Sequence, residues 1–197
     1  KYLHISSAAV YGNPNELPIK ESSSLRPVSP YGWHKLMSEL ACNEYSELYK
    51  LKTAIIRPFS VYGPGLKKQL FWDLYLKAKS GSRIELFGTG EETRDFIFIS
   101  DLVNAVALIV SQSAFSANVF NVAGGSSTKI KTAAETFLDN SATAHEVVFT
   151  GNSKTGDPKN WKADVSSLIS IGFSPKTTLN EGLAITYQWL ESQVISV

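Results

Sequence analysis

The sequence predicts an α/β fold in which a parallel sheet is covered on both faces by crossover helices. Segments that read as strands alternate with segments that read as helices, the order that builds parallel βαβ units. Runs such as "IIRPF" and "VFNVA" are apolar at every position, as strands are when helices cover both sides of their sheet. No internal repeat or low-complexity tract competes with that reading.

Each element follows from local chemistry. "YLHISSAAVYG", from Tyr2 to Gly12, reads as a buried strand running into a small-residue loop. The next stretch, to Pro30, is rich in Pro, Ser and Asn and reads as loop. Ser29 and Pro30 form a helix start, an N-cap followed by proline at the first helical position. That helix should run to about Lys50, with Leu36, Leu40 and Tyr45 among its apolar positions. "TAIIRPFSVYG" reads as a second buried strand, "PGLKKQ" as a loop, and "LFWDLYLKAKSG" as a short helix closed by Gly81. "IELFGTGEETRDFIFI" suggests two short strands around a Gly turn. Ser100 or Asp101 is expected to cap the helix "LVNAVALIVSQ". "ANVFNVAGG" reads as a third buried strand with a Gly-rich exit. A helix near Lys131–Leu138, a polar stretch and a last helix from about Leu179 to Glu191 complete the chain.

Composition narrows the function classes. The 197 residues are 43% hydrophobic and 19% charged, with a net charge of +1. That balance gives no electrostatic case for nucleic acid. No apolar run reaches the roughly 18–20 residues that span a membrane. The lone cysteine, Cys42, cannot form an internal disulfide, which suits a reducing, cytoplasmic compartment, and it is expected to be buried and inert on its helix.

The chemistry concentrates at "SSAAVYG" and "SPYGWHK". Tyr31 and Lys35 are four apart and share one helix face. Both lie in the first turns of their helix. A nearby ammonium and a helix N-terminus each favour a phenolate. Such a tyrosine can pass a proton to or from a sugar hydroxyl. Ser7, at the end of the preceding strand, can share that hydroxyl's hydrogen bond. The competing reading is a partly buried tyrosine beside a solvated lysine.

Six stretches in order, "SSAAVYG", "SPYGWHK", "RPFSVYGPG", "FGTGEETRDFIFISD", "FNVAGG" and "GDPKNWKAD", resemble the motifs of the extended short-chain dehydrogenase/reductase family, and within it the NAD-dependent nucleotide-sugar epimerases and dehydratases. The resemblance implies a fold made of the C-terminal part of a Rossmann-like parallel sheet interleaved with a small α/β substrate-binding domain. It implies that residues 1–62, with 94–125 returning to them, belong to the NAD-binding part, and 63–93 and 126–197 to the nucleotide-sugar part. It assigns Ser7, Tyr31 and Lys35 as the catalytic triad, with Lys35 also holding the nicotinamide ribose. Tyr31, Lys35, Pro58 and Phe59 are the implied cofactor contacts. The cofactor is NAD, with NADP not excluded, and no metal is implied. The implied partners are a nucleotide-diphosphate sugar and a second copy of the chain, docked through the helix of Tyr31 and Lys35. The family's Gly-rich phosphate loop has no counterpart in this sequence: "GTGEE" and "AGG" lack its spacing and its following helix. The resemblance therefore also implies that roughly a hundred residues lie upstream.

Ala8 and Ala9 stand where dehydratases of this group carry acidic residues, and neither can move a proton. That disfavours dehydration and suits a 4-epimerase, which needs only the triad, NAD and room for the sugar to turn over. Packing is the bland account of both alanines. A 4-ketoreductase and a non-catalytic dinucleotide sensor are the competing readings. Ser60 replaces a commoner asparagine, and Lys154, three before Asp157, replaces a commoner arginine. Gln69 and Leu70 match substrate-phosphate contacts and Phe87 matches the segment that brackets the base. Arg94 with Lys154 is the implied diphosphate clamp, the alternative being surface pairing of Arg94 with Glu91, Glu92 or Asp95. Trp161 is expected either over the nucleotide or in the core.

Overall fold

A computed structural model describes residues 1–152 and 158–193. In chain order the elements are β1 (Tyr2–Ile5), a 3-10 turn (Ala8–Tyr11), α1 (Pro30–Tyr49), β2 (Thr53–Pro58), β3 (Ser60–Tyr62), α2 (Gln69–Ser80), β4 (Arg83–Leu86) and β5 (Thr93–Phe98). They continue with α3 (Ile99–Gln112), β6 (Ser116–Val122), β7 (Ser127–Lys129), α4 (Ile130–Leu138), β8 (Glu146–Phe149), α5 (Ser166–Ile169) and α6 (Leu179–Ser192).

The α/β expectation holds, with the strands divided among three small sheets. β1, β2 and β6 pair in parallel, with Ile5 opposite Ile56 and Ile56 opposite Phe120. β3 pairs in parallel with β5, and β5 pairs antiparallel with β7. β4 and β8 form a parallel pair. The apolar core follows the same division. One cluster gathers Phe71, Leu74, Phe137 and Leu183 under α2, α4 and α6. A second packs α3 on β2 and β6. A third, around Tyr11, Ile19, Phe59 and Trp161, lies beneath the 3-10 turn.

Three expectations need correction. "TAIIRPFSVYG" is two strands, because the ladder with β6 ends at Pro58 and Phe59 turns the chain into a different sheet. α3 begins at Ile99 with no side-chain cap, and the carboxylate of Asp101 is buried, accepting from the backbone N–H of Lys176 and of Thr177 at 3.1 and 3.0 Å. The polar stretch before the last helix contains β8 and α5. The last helix opens with a capping box: Thr178 accepts from the Glu181 N–H while Glu181 accepts from the Thr178 N–H.

Two glycines hold the start of α1 in place. Gly12 ends the 3-10 turn at φ 62°, ψ −122°, and a Cβ there would overlap the Arg26 carbonyl oxygen. Gly32 lies in the first turn of α1, where Ser29 Oγ accepts its N–H at 3.2 Å. A Cβ on Gly32 would sit 2.6 Å from the Ala9 carbonyl oxygen. Helix and 3-10 turn thus meet backbone to backbone. Overpacking costs about 1–3 kcal/mol, against the roughly 0.5–1 kcal/mol an alanine contributes in a helix. Gly32→Ala should therefore lower Tm by a few degrees in thermal denaturation of the full-length protein; an unchanged or raised Tm would show that α1 does not need this approach.

Candidate active site

The close approach at Gly32 sets the first turn of α1, with Tyr31 and Lys35, against the 3-10 turn that Ser7 caps. Ser7 leaves β1 in an extended conformation and caps the 3-10 turn, its Oγ accepting from the Ala9 N–H at 3.2 Å. Tyr31, beside Gly32, is 56% exposed. Lys35 Nζ donates to the Ile5 carbonyl at 2.8 Å and stands 5.8 Å from the centre of the Tyr31 ring. An ammonium has three donors, so this bond leaves two for a ligand. His4, on β1, has its pKa lowered by burial and by Lys35, against an opposing pull from Glu39.

Beneath these residues lies a buried polar network that the sequence reading did not find. Arg57, on β2, donates from Nε to Glu39 Oε1 at 3.0 Å and from one terminal nitrogen to Glu39 Oε2 at 2.7 Å. Its other terminal nitrogen donates to the Tyr11 hydroxyl at 2.8 Å and the Glu21 carbonyl at 2.9 Å. The Tyr11 hydroxyl donates to Asn121 Oδ1 at 2.7 Å, and the Asn121 amide nitrogen donates to the Ile19 carbonyl at 2.8 Å. Burial works against the charge of Arg57, but its bonds to Glu39 and Tyr11 prevail and raise its pKa. Burial pushes the Tyr11 hydroxyl up to about 12, in keeping with a phenol that stays protonated to donate to Asn121.

The other expected site residues fall in several settings. Pro58 and Phe59 are buried at the end of β2, where the Phe59 N–H donates to the Val122 carbonyl at 3.0 Å. Ser60 opens β3, half-buried. Ala8 is fully buried, so packing accounts for it, whereas Ala9 is half-buried. Gln69 opens α2 exposed and at φ 67°, an uncommon conformation for a residue with a side chain. Leu70 packs on the cluster of Phe71 and Phe137. Phe87 is 66% exposed just past β4. Lys154 and Asp157 lie outside the described residues.

Arg94, on β5, donates to the carbonyls of Thr93 and Lys159 at 2.9 and 3.3 Å, with its guanidinium 5.7 Å over the Trp161 ring. Glu91 pairs with Lys129 at 2.6 Å. Glu92 caps the Thr89–Gly90 turn; burial opposes ionisation, but N–H bonds from Thr89 and Gly90 hold its carboxyl below the usual range. Asp95 accepts from Gly125 at 3.0 Å and Ala163 at 2.9 Å. Trp161 is in the core, edge-on to Phe59, its indole N–H donating to the Gly12 carbonyl at 3.2 Å.

A Rossmann-type α/β chain with a serine at a strand end and a Tyr–Lys pair on the next helix defines the class. The chain belongs to the NAD dependent epimerase/dehydratase family, whose model matches residues 1–123. A putative UDP-glucose 4-epimerase of Methanocaldococcus jannaschii is 29% identical over 95% of this chain and 61% of its own length. The UDP-glucose 4-epimerase of Mycolicibacterium smegmatis is 29% identical over 98% and 63%. Among solved structures, a UDP-N-acetylglucosamine 4-epimerase from Methanobrevibacter ruminantium M1, in complex with UDP-N-acetylmuramic acid, superimposes with a TM-score of 0.89 at 31% identity over 98% of this chain and 64% of that one. A UDP-glucuronic acid 4-epimerase from Bacillus cereus, in complex with UDP-glucuronic acid and NAD, gives 0.89 at 28% over 96% and 60%. RMD from Pseudomonas aeruginosa, complexed with NADPH, gives 0.88 at 27% over 98% and 67%. The chain thus spans about three-fifths of the length of the curated relatives it matches. The family's cofactor is NAD, as the sequence motifs imply.

Asp95 gives this region a pH signature. Burial raises its carboxyl to about 6 from 3.8, outweighing the N–H bonds from Ala163, Gly125, Ser126 and Gly124 that lower it. A carboxyl raised by folding binds more protons in the native state, so its contribution to stability is present below pH 3.8 and lost as pH rises towards 6. Asp95→Asn should remove that slope between pH 4 and 6. Its amide would also set a donor against a backbone N–H, which lowers stability by about 1–3 kcal/mol at low pH. Chemical denaturation of both forms across that range checks this; parallel pH profiles would count against it.

Proposed function

We propose that the full-length protein epimerises a nucleotide-activated hexose at C4 through a transient keto-sugar. The observation that supports the reading is the contact of α1, which bears Tyr31 and Lys35, with the 3-10 turn that Ser7 caps. In this reading Tyr31 takes the proton of the sugar hydroxyl and later returns it. Ser7, the cap of the 3-10 turn, steadies that hydroxyl. Lys35 keeps a cation beside the ring and offers its two remaining donors to a ribose diol, so the donor set fits the nicotinamide end of NAD. NAD held there would supply reversible hydride acceptance from the sugar carbon. Residues 1–62 with 94–125 serve the cofactor, and 63–93 with 126–197 the nucleotide sugar.

The substrate assignments follow the same reading. Arg94, with Lys154, grips the diphosphate, and a guanidinium fork suits two phosphate oxygens. Phe87, Gln69, Leu70, Ser60 and Asp157 complete the expected substrate contacts. A homodimer through α1 is supported by its exposed apolar residues Trp33, Met37 and Leu40. Among the described residues no helix is long and apolar enough to cross a membrane, and we place the protein in the cytoplasm. The likeness to RMD with NADPH supports a second reading, a 4-ketoreductase. The two differ in that an epimerase turns over with catalytic cofactor and a reductase consumes it.

In the full-length enzyme, assayed on UDP-glucose, UDP-N-acetylglucosamine and UDP-glucuronate, Tyr31→Phe should lower kcat by about 10²–10⁴ with KM little changed. Near-normal turnover would overturn the catalytic assignment. Bonds to charged groups contribute about 1.5–3 kcal/mol, so Arg94→Ala should weaken UDP binding roughly tenfold to over a hundredfold while leaving uridine binding unaffected. An equal fall for UDP and uridine would mean that Arg94 does not read phosphate.

A further inference from the structure

α1 carries Tyr31 and Lys35, and its apolar packing rests on a half-buried Leu36 against the cluster of Tyr11 and Phe59. Of its twenty residues only Gly32, Glu39 and Cys42 are buried. Gly32 permits a close approach but grips nothing, and Cys42 is small. Glu39 is therefore the one long buried side chain on α1. It follows Lys35 by four residues and Tyr31 by eight, so all three lie along one face.

Arg57 closes on that carboxylate with two parallel bonds, a geometry that a planar fork and a carboxylate satisfy in a single orientation. The same guanidinium reaches Tyr11, four residues after Ser7 and in the 3-10 turn that Ser7 caps. Arg57 itself directly precedes Pro58 and Phe59. One side chain thus links the three segments that bear Ser7, the Tyr31–Lys35 pair and the expected cofactor contacts. It is only 3% exposed and has four protein acceptors within 3.0 Å, so it is not placed to touch substrate.

We infer that Arg57, through Glu39 and Tyr11, is a positioning residue that sets the rotation of α1 and the spacing of Tyr31 and Lys35 from Ser7. The inference rests on the proposed function of Tyr31. General stability alone does not account for the ion pair, because well-packed apolar residues commonly replace such pairs at no loss of stability. An apolar contact would hold the helix against the sheet without fixing its angle.

The test uses the full-length enzyme. Glu39→Gln keeps the shape and removes the charge. Tyr11→Phe keeps the ion pair and removes only the link to the Ser7 turn, so it provides a folded variant if Glu39→Gln is too unstable. Misplacing a reacting group by about 1 Å can cost about 10²-fold. We expect kcat to fall about 10–10²-fold in Glu39→Gln and less in Tyr11→Phe, with KM for the UDP-sugar within about threefold in both. Hydrogen exchange should quicken across residues 30–41 while β2 and β6 remain protected. Adding Tyr31→Phe to either variant should cost far less than it costs the wild type, since the group that was misplaced is the one removed. Unchanged kcat, fully additive losses, or exchange that quickens equally everywhere would overturn the inference and leave the function standing. No turnover by the wild type on any of the three UDP-sugars, or near-normal turnover by Tyr31→Phe, would overturn both.

Discussion

A guanidinium buried between a helix, a strand and a short turn is the constraint on which the site depends. Charge in that position is tolerable only because each nitrogen of Arg57 meets an oxygen, two from Glu39, one from Tyr11 and one from Glu21. The network then closes on Asn121, which reaches the loop at Ile19 and the segment at Asp164. A fully satisfied network of this kind is stiff, and losing one partner of a buried pair typically costs about 3–5 kcal/mol. The surface above it can therefore be open. Tyr31 and Lys35 are accessible while the ground beneath them is held.

A second polar anchor works at the other end of the region. Asp95 draws together the Gly-rich turn after β6 and the strand-like segment at Ala163. Trp161, two residues before Ala163, bonds back to Gly12 and packs on Phe59. Arg94 lies over that indole. The segment that carries the expected phosphate clamp is thus tied to the turn that carries Ser7 through one indole and one carboxylate.

The fold class, most element positions and the shared helix face of Tyr31 and Lys35 were legible because they rest on local pattern. A proline after a serine marks a helix start, and a four-residue spacing marks a shared face. What was hidden rests on pairing across the chain. Glu39 and Arg57 are eighteen residues apart, and each reads alone as a surface charge. Asp101 sits where helix caps sit, yet its partners are Lys176 and Thr177, which no local pattern connects to it. The break at Phe59 was masked because apolar runs continue through it and only the change of sheet reveals it. β8, Glu146–Phe149, lacks a clear alternation, so the sequence shows only a polar stretch around it.

The strand pairings have a kinetic consequence. Among the described strands there is no hairpin. Even the nearest partners, Asp95 and Ser127, are 32 residues apart, and Ile5 must find Ile56 across a whole helix and a proline-rich loop. Loop-closure entropy has to be met before any ladder yields a bond, which slows folding in chains dominated by distant contacts. Helices such as α1 and α3 can form early from local bonds, but each waits for a sheet that assembles late. During that interval the apolar strands β2 and β6 are unpaired, and collision with other chains competes with their own closure.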